Sequence, residues 1–136
     1  MPHARAEIGI AHYAVTIDVS GHRIVSDEPM VRGGANAGPA PYDLLLAGLA
    51  ACTAITLRMY ADRKQWDVKS IGVDLQYLRE GESERIHRKL RLDANLTDEQ
   101  RARMADIAER TPVTLTLKRG LPITTELEPG SAPAAA

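Results

Sequence analysis

The longest apolar pattern of the chain covers residues 41–65, PYDLLLAGLAACTAITLRMYADRKQ. Between residues 44 and 57 apolar side chains would surround nearly the whole circumference of a helix, and the charged side chains come mainly after them. Pro41 suits the first helical turn, because the backbone N–H that it lacks would have no partner there. The pattern therefore predicts a long central helix that is buried on most sides.

Alternating apolar and polar residues predict strands on both sides of this helix. Residues 7–20 form one predicted strand, and the segment HRIVSD after Gly21 forms a second. The following loop, EPMVRGGANAGPAP, is too rich in Gly and Pro for regular structure. After the helix, residues 68–80 and 85–94 alternate in register around a polar turn, which predicts a long hairpin. Its expected inward residues are Ile71, Val73, Leu75, Tyr77, Ile86, Leu90 and Leu92.

The sequence pattern in the last third of the chain predicts a second helix and a final strand. The segment TDEQ matches a capping box that opens a helix at Thr97 and continues to about Arg110. Thr111 and Pro112 can cap another helical turn, and residues 121–128 alternate as a strand would. We expect one α+β domain over residues 1–128, with antiparallel sheets, and a disordered tail over residues 129–136.

A buried helix in a chain of 136 residues raises a difficulty, because one thin sheet cannot cover all of its faces. A partner subunit could supply the missing cover. The apolar pattern alone therefore favours an oligomer.

Composition excludes several functional classes. The chain has 17 basic and 18 acidic residues, four Tyr, one Trp and no Phe, which argues against nucleic acid as a partner. Its N-terminus lacks the apolar run of a signal peptide, and no segment is expected to span a membrane, so we expect a cytoplasmic protein. One Cys and four scattered His predict no internal disulfide, no metal site and no bound cofactor.

The only cysteine, Cys52, lies in the middle of the predicted central helix. A free Cys among small apolar residues commonly packs as a small hydrophobe, so a structural role is one interpretation. A reactive thiol needs a lowered pKa, from a helix N-terminus or a nearby cation. Cys52 lies about three turns after Pro41, which is too far from the helix end. An activating charge would have to come from another part of the fold.

The sequence NAGPAPYDLLLAGLAACT, residues 36–53, resembles the first-cysteine helix of the OsmC/Ohr family, the osmotically inducible and organic hydroperoxide resistance proteins. The similarity continues through RMYADRK, the hairpin, DEQRARM and ERTPV. It implies an OsmC-like fold and an intertwined homodimer, with long central helices packed between sheets of both chains. It also implies a thiol peroxidase, in which a first cysteine attacks an organic hydroperoxide and a second forms a disulfide with the resulting sulfenic acid. Cys52 occupies the first position.

Two family positions differ in this sequence. Thr111 stands where the second cysteine is expected, so an external thiol reductant would have to complete the cycle. The glutamate of the hydroperoxide resistance branch corresponds to Tyr42, and the neighbouring Asp43 is either a catalytic acid or a helix-start anion. The family arginine corresponds most closely to Arg23 on the first hairpin, with His22 as a second candidate. The alternative interpretation is that Arg23 and His22 are exposed surface residues without a catalytic role.

The resulting expectation is a peroxidase that reduces organic hydroperoxides through Cys52, with an external thiol as reductant. Leu49, Ile55 and Met59 are candidates for an apolar substrate pocket, although the same residues could be core. The alternative is an inactive OsmC-fold protein that binds a small apolar ligand, which the missing second cysteine and the replaced glutamate favour.

Overall fold

The computed structural model describes residues 1–130 and has the expected α+β class with antiparallel sheets. A short 3₁₀ helix, Met30–Arg32, lies in the loop that was expected to be irregular. The other elements in chain order are β1 (Ala4–Ile8), β2 (Val15–Val19), β3 (His22–Ser26), α1 (Pro41–Lys64), β4 (Val68–Glu80), β5 (Ser83–Ala94), α2 (Asp98–Ala108) and α3 (Pro112–Arg119).

The N-terminal sheet contains one strand more than the sequence predicts. The single strand expected over residues 7–20 is wrong: β1 and β2 form an antiparallel pair in which Ile8 lies opposite Val15. Apolar alternation is regular only from residue 14 onward, and Gly9 allows the chain to turn before it. His12 takes a positive φ of 54° in this turn. The sheet has the order β1-β2-β3, and the second expected strand, β3, is confirmed.

The loop between β3 and α1 is organised around a buried carboxylate. Asp27 is 2% exposed and accepts hydrogen bonds from the backbone N–H groups of Glu28 at 2.7 Å, Ala35 at 3.1 Å and Ala37 at 3.1 Å. These bonds, that from Ala37 most strongly, lower the pKa of Asp27. A Cβ on Gly34 would lie 1.9 Å from the Glu28 carbonyl oxygen, so the loop can close this tightly only with Gly there. The loop therefore has a defined conformation up to the start of α1.

Helix α1 has the bounds that the sequence predicts within one residue, and one of its faces forms the core. The buried residues on this helix recur every four positions, which places them on a single stripe. The helix packs against β4, α2 and α3, where Met104 and Leu57 are fully buried. The buried stripe consists of Leu49, Thr53, Leu57 and Ala61.

The other faces of α1 are not covered within one chain, so the expected burial on most sides is wrong for the single chain. Ile55 and Met59 are 55% and 60% exposed, and Leu45 is 40% exposed. The physical reason is the shortage of cover noted from the sequence, because the β4–β5 hairpin is the sheet against which α1 mainly packs.

The length and composition of α1 would also allow it to span a membrane, contrary to the expectation from the sequence. Length and composition do not distinguish a membrane span from the core helix of a globular domain. In the structure α1 packs against the hairpin, α2 and α3 along one face.

The hairpin β4–β5 and the capping box are confirmed. Thr97 Oγ1 accepts the Gln100 N–H at 3.1 Å, and the Gln100 side chain accepts the Thr97 N–H at 2.9 Å. Helix α2 ends at Ala108, two residues before the expected end, and the turn expected after Pro112 is a full helix of 8 residues.

The strand expected over residues 121–128 is wrong, because residues 121–130 form neither helix nor strand. A strand needs a neighbouring strand to pair its backbone groups, and here Ile123 and Leu127 are 87% and 94% exposed. Residues 129 and 130 are exposed, and the rest of the predicted disordered tail lies outside the described residues.

Candidate functional site

Cys52 lies at the edge of the buried stripe of α1. At 100° per residue it is about 60° around the helix from Leu49, which leaves the thiol half-buried. Its sulfur lies 4.0 Å from the Thr56 hydroxyl oxygen, one turn further along the helix. Within residues 1–130 no cationic side chain makes a hydrogen bond to this sulfur. If Cys52 is reactive, the cation that stabilises its thiolate has to come from a residue that does not bond the sulfur in the single chain.

The structure does not bring Arg23 or His22 into contact with Cys52 within one chain. Arg23 Nε bonds the Asp18 carboxylate at 3.3 Å on the neighbouring strand, and both side chains are more than half exposed. His22 is exposed and lies opposite Val19 in the β2–β3 pair. The catalytic assignment of Arg23 and His22 therefore stays a prediction.

Asp43 and Tyr42, at the start of α1, make contacts that explain their residue types. The Asp43 carboxylate accepts the Ala40 N–H at 2.9 Å, which is the contact of a helix-start anion. The Tyr42 ring stacks on Tyr77 with centroids 4.9 Å apart. Tyr77 donates a hydrogen bond to Glu84, and this bond raises the pKa of Tyr77 to about 12. Tyr42, which the resemblance places at the position of the family glutamate, is therefore one of two stacked aromatic side chains.

Thr111, where the resemblance predicts the second cysteine of the family, is fully buried and caps α3. Its hydroxyl accepts the Thr114 N–H at 3.4 Å, as the sequence predicts for a capping residue. The two hydroxyl oxygens of Thr111 and Thr114 lie 2.6 Å apart.

Arg88 is a residue that the sequence analysis missed. Its Nη1 donates to the Thr53 hydroxyl at 3.0 Å and to the Thr114 hydroxyl at 2.9 Å, and its Nη2 donates to the Ala108 carbonyl at 2.8 Å. One guanidinium therefore joins β5 to all three α-helices. The signal was present in the alternation of β5, because position 88 falls on the inward face between Ile86 and Leu90.

A cleft of 720 Å³ lies beside this arginine, between the hairpin and the helices. Its wall includes Arg88, the stacked Tyr42 and Tyr77, and the Lys118–Glu109 ion pair, which has an N–O distance of 2.8 Å. The Lys118 ammonium lowers the pKa of Glu109 and keeps this carboxyl charged. The apolar lining residues are Leu45, Leu49, Ile86, Leu90, Ala105, Ala108 and Leu117.

A second depression, of 470 Å³, lies between α1 and α2. We call it the arginine groove; its lining includes Thr56, Met59, Tyr60, Arg63, Arg103 and Arg110.

The three residues expected to form an apolar substrate pocket are not brought together in one chain. Leu49 lines the 720 Å³ cleft, Met59 lines the arginine groove, and Ile55 is exposed on another side of α1. Among the described residues, no group of three or more His, Cys, Asp or Glu side chains is arranged to hold a metal ion.

Comparison with known proteins agrees with this architecture. Residues 33–126 match the model of the OsmC-like protein family. No curated protein sequence matches the chain significantly.

Several solved structures share the fold. An OsmC-like protein from Mycoplasma pneumoniae is 20% identical, with a TM-score of 0.74 and 87% of each chain covered. An organic hydroperoxide resistance protein OsmC from Legionella pneumophila is 18% identical, with a TM-score of 0.65, covering 87% of this chain and 89% of that one. An OsmC-like protein of unknown function from Vibrio cholerae is 13% identical, with a TM-score of 0.70, covering 85% of this chain and 92% of that one. With the family match extending over more than half of its length, the chain belongs to the OsmC-like family.

Proposed function

We propose that the protein reduces organic hydroperoxides through Cys52 and uses an external thiol as reductant. The observation that supports the proposal is that the only thiol is half-buried and not sealed in the core. The sequence resemblance assigns Cys52 to the first-cysteine position, and the chain has the fold of an organic hydroperoxide resistance protein. The location of the protein in the cytoplasm and the lack of a nucleic-acid partner stay predictions from composition.

The chemistry needs only this sulfur, the peroxide and two equivalents of thiol. The Cys52 thiolate attacks the distal peroxide oxygen, the O–O bond breaks, and the alkoxide takes a proton and leaves as an alcohol. Cys52 is then a sulfenic acid. A thiol condenses with it, which forms a mixed disulfide and releases water, and a second thiol displaces Cys52 as a free thiol and leaves as a disulfide.

The apolar lining of the 720 Å³ cleft supports an organic peroxide as the substrate. Leu49 in this lining is on the same helix as Cys52, less than one turn before it. An alkyl or aryl group in such a lining gains binding free energy that hydrogen peroxide cannot gain.

The test is oxidation of Cys52 itself. We expect cumene hydroperoxide to convert Cys52 to sulfenic acid roughly tenfold faster than hydrogen peroxide does, because burial of an organic group contributes factors of about this size. Stopped-flow kinetics with mass spectrometry of the trapped sulfenic acid measures both rates.

Cys52→Ser is the matched control and should consume neither peroxide. A Cys52 that reacts no faster than a free cysteine with either peroxide would contradict the proposal. It would favour the second candidate, an inactive protein that binds a small apolar ligand. Two observations support this candidate: no cationic side chain of residues 1–130 bonds the Cys52 sulfur, and the cleft has room for a small ligand.

We further propose that the protein is a homodimer. No apolar side chain in the strands of the N-terminal sheet is fully buried. Val15, Ile17 and Val19 nevertheless alternate like a row that faces a core, and they are half-buried. Ile55 of α1 is also more than half exposed. Two apolar surfaces that are only partly covered in one chain fit a second copy that covers both.

Sedimentation velocity over the micromolar range should show one dimeric species and no folded monomer. Ile55→Glu should dissociate or unfold it, because a buried unpaired charge at an apolar contact is costly. Lys89→Glu, on the outer face of β5, is the control and should leave the dimer intact. A compact, stable wild-type monomer would contradict the dimer.

A further inference from the structure

The arginine groove combines a strong local charge with a position beside the thiol. Arg63, Arg103 and Arg110 line it, and Asp106 is the carboxylate that pairs with two of them. Arg110 Nη2 bonds Asp106 at 2.5 Å, and Arg103 Nη1 lies 3.6 Å from the same carboxylate. Arg63 forms no ion pair with an acidic group within residues 1–130. The cluster therefore keeps two positive charges in excess.

Two of the groove arginines are held by their surroundings. Arg103 Nε donates to the Tyr60 hydroxyl at 3.1 Å, and its guanidinium carbon lies 6.0 Å from the centre of the Tyr60 ring. Arg110 is fixed to Asp106 and directly precedes Thr111, the cap of α3. The guanidinium groups thus line the groove in defined places, and guanidinium is the side-chain group best suited to a carboxylate.

The groove begins at Thr56, one helical turn after Cys52. Thr56, whose hydroxyl lies 4.0 Å from the Cys52 sulfur, is one of its lining residues. Cys52, Thr56, Met59 and Arg63 follow one another along one side of α1, at spacings of four, three and four residues. At 1.5 Å per residue, Thr56 lies about 6 Å and Arg63 about 16 Å along the helix axis from Cys52. A molecule of tripeptide size spans about 10 Å, so the long side chain of an arginine has to cover the rest of the distance between the sulfur and the bound carboxylate.

We propose that the arginine groove binds the reductant, and that this reductant is a low-molecular-weight thiol that carries carboxylates. The proposal rests on the proposed function, because it assigns the thiol that regenerates Cys52. The carboxylates contact Arg63, Arg103 or Arg110, and the thiol points along α1 past Thr56 to the Cys52 sulfur. The groove thereby supplies by binding what the replacement of the second cysteine by Thr111 removed.

The bound thiol takes part in two balanced steps. Its sulfur displaces the hydroxyl of the Cys52 sulfenic acid, so an S–S bond forms and one water leaves. A second molecule attacks the sulfur of the first, which breaks that S–S bond, returns Cys52 as a thiol and releases the low-molecular-weight disulfide.

The test uses the reverse exchange, which needs no peroxide. The wild-type thiol is mixed separately with glutathione disulfide, which is anionic, hydroxyethyl disulfide, which is neutral, and cystamine, which is cationic. Mass spectrometry follows the mixed disulfide on Cys52. After correction for the reactivity of each disulfide with free cysteine, we expect the anionic probe to react about tenfold faster than the neutral one, a factor within the range of electrostatic steering. The ratio should fall toward one at high salt.

The variant Arg63→Gln/Arg110→Gln should lose most of this preference, measured as the ratio of its exchange rates with glutathione disulfide and hydroxyethyl disulfide. Arg58→Gln/Lys89→Gln removes the same two charges and is the matched control, because Arg58 lies on the opposite side of α1 and Lys89 is exposed on the outer face of β5. An equal loss of preference in this control would overturn the proposal, since it would show a general effect of net charge. Equal rates for the three probes in wild type, or no exchange by folded protein, would also overturn it.

The disulfide-exchange rates test the groove, and the peroxide oxidation rates test the proposed function, so the two proposals can fail independently. Cys52 that prefers the anionic disulfide but is not oxidised by cumene hydroperoxide supports the groove and contradicts the peroxidase. Cys52 that is oxidised rapidly but does not distinguish the three disulfides supports the peroxidase and contradicts the groove.

Discussion

Replacing Arg88 with Met is expected to lower the free energy of unfolding by about 3 kcal/mol, because three hydrogen bonds from a charged donor are lost at once. The Thr53 and Thr114 hydroxyls and the Ala108 carbonyl lose this donor in a region that water reaches poorly. Thr53 is fully buried and Thr114 is 5% exposed. Denaturant unfolding at one fixed protein concentration measures the change, since an oligomer's stability depends on concentration.

Lys89→Met is the matched control for this prediction. Lys89 is the next residue of β5, exposed on the outer face, and its replacement removes the same charge without any of these contacts. Its free energy of unfolding should change by no more than about 0.5 kcal/mol. Arg88→Lys keeps the charge but not the forked geometry, so it should fall between the two. Equal stabilities of Arg88→Met and Lys89→Met would contradict the role of Arg88 in joining the helices.

Local sequence signals predicted those elements whose structure depends on local interactions. The bounds of α1 followed from Pro41 and the length of the apolar run, and the start of α2 followed from the Thr97 and Gln100 capping pair. The β4–β5 hairpin followed from alternation that the turn keeps in register. In each case neighbouring residues decide the conformation, so the pattern suffices.

The errors concern contacts that local pattern does not encode. Residues 121–128 alternate like a strand, but a strand also requires a partner, and no strand of residues 1–130 pairs with them. The burial of α1 was overestimated because apolar residues show which surfaces avoid water and not which chain covers them. Arg88 was overlooked because its partners are far along the chain, 35 residues from Thr53 and 26 from Thr114.

For the candidate site, the sequence predicted where two residues lie. Cys52 is within the central helix and Thr111 caps the helix that begins at Pro112, as the sequence predicts, whereas the catalytic roles stay predictions. The arginine groove could not be foreseen, because Arg63 and Arg103 belong to different helices and meet only through the packing of α1 against α2.

Thr111→Cys is expected to turn a protein that cannot form an internal disulfide into one that does so after a single oxidation. The network from Thr111 through Thr114 and Arg88 to Thr53 connects the start of α3 to the residue next to Cys52. Such a bond requires Cα atoms within about 7 Å. Stoichiometric cumene hydroperoxide should then produce an intramolecular disulfide, whereas wild type should stop at sulfenic or overoxidised Cys52 or at a mixed disulfide.

Two controls separate this geometry from the mere addition of a thiol. Thr111→Ser keeps the capping hydroxyl and supplies no sulfur, so it should behave as wild type. Thr125→Cys places a thiol in the exposed segment after α3 and should form no rapid intramolecular bond with Cys52. Peptide mass spectrometry under non-reducing conditions identifies the linked residues.

Peroxide turnover in the presence of a reductant is the second measurement for this prediction. A dithiol would reduce a disulfide between residues 52 and 111 in one encounter. Dithiothreitol should therefore support more cycles in Thr111→Cys than in wild type, and a monothiol should show a smaller difference. If Cys52 and the introduced cysteine never bond while Cys52 is still oxidised by cumene hydroperoxide, position 111 is not the partner position of this thiol. If the bond forms and turnover rises, the substitution at residue 111 is the step at which the two-cysteine cycle was lost, and the wild-type protein depends on a thiol from solution.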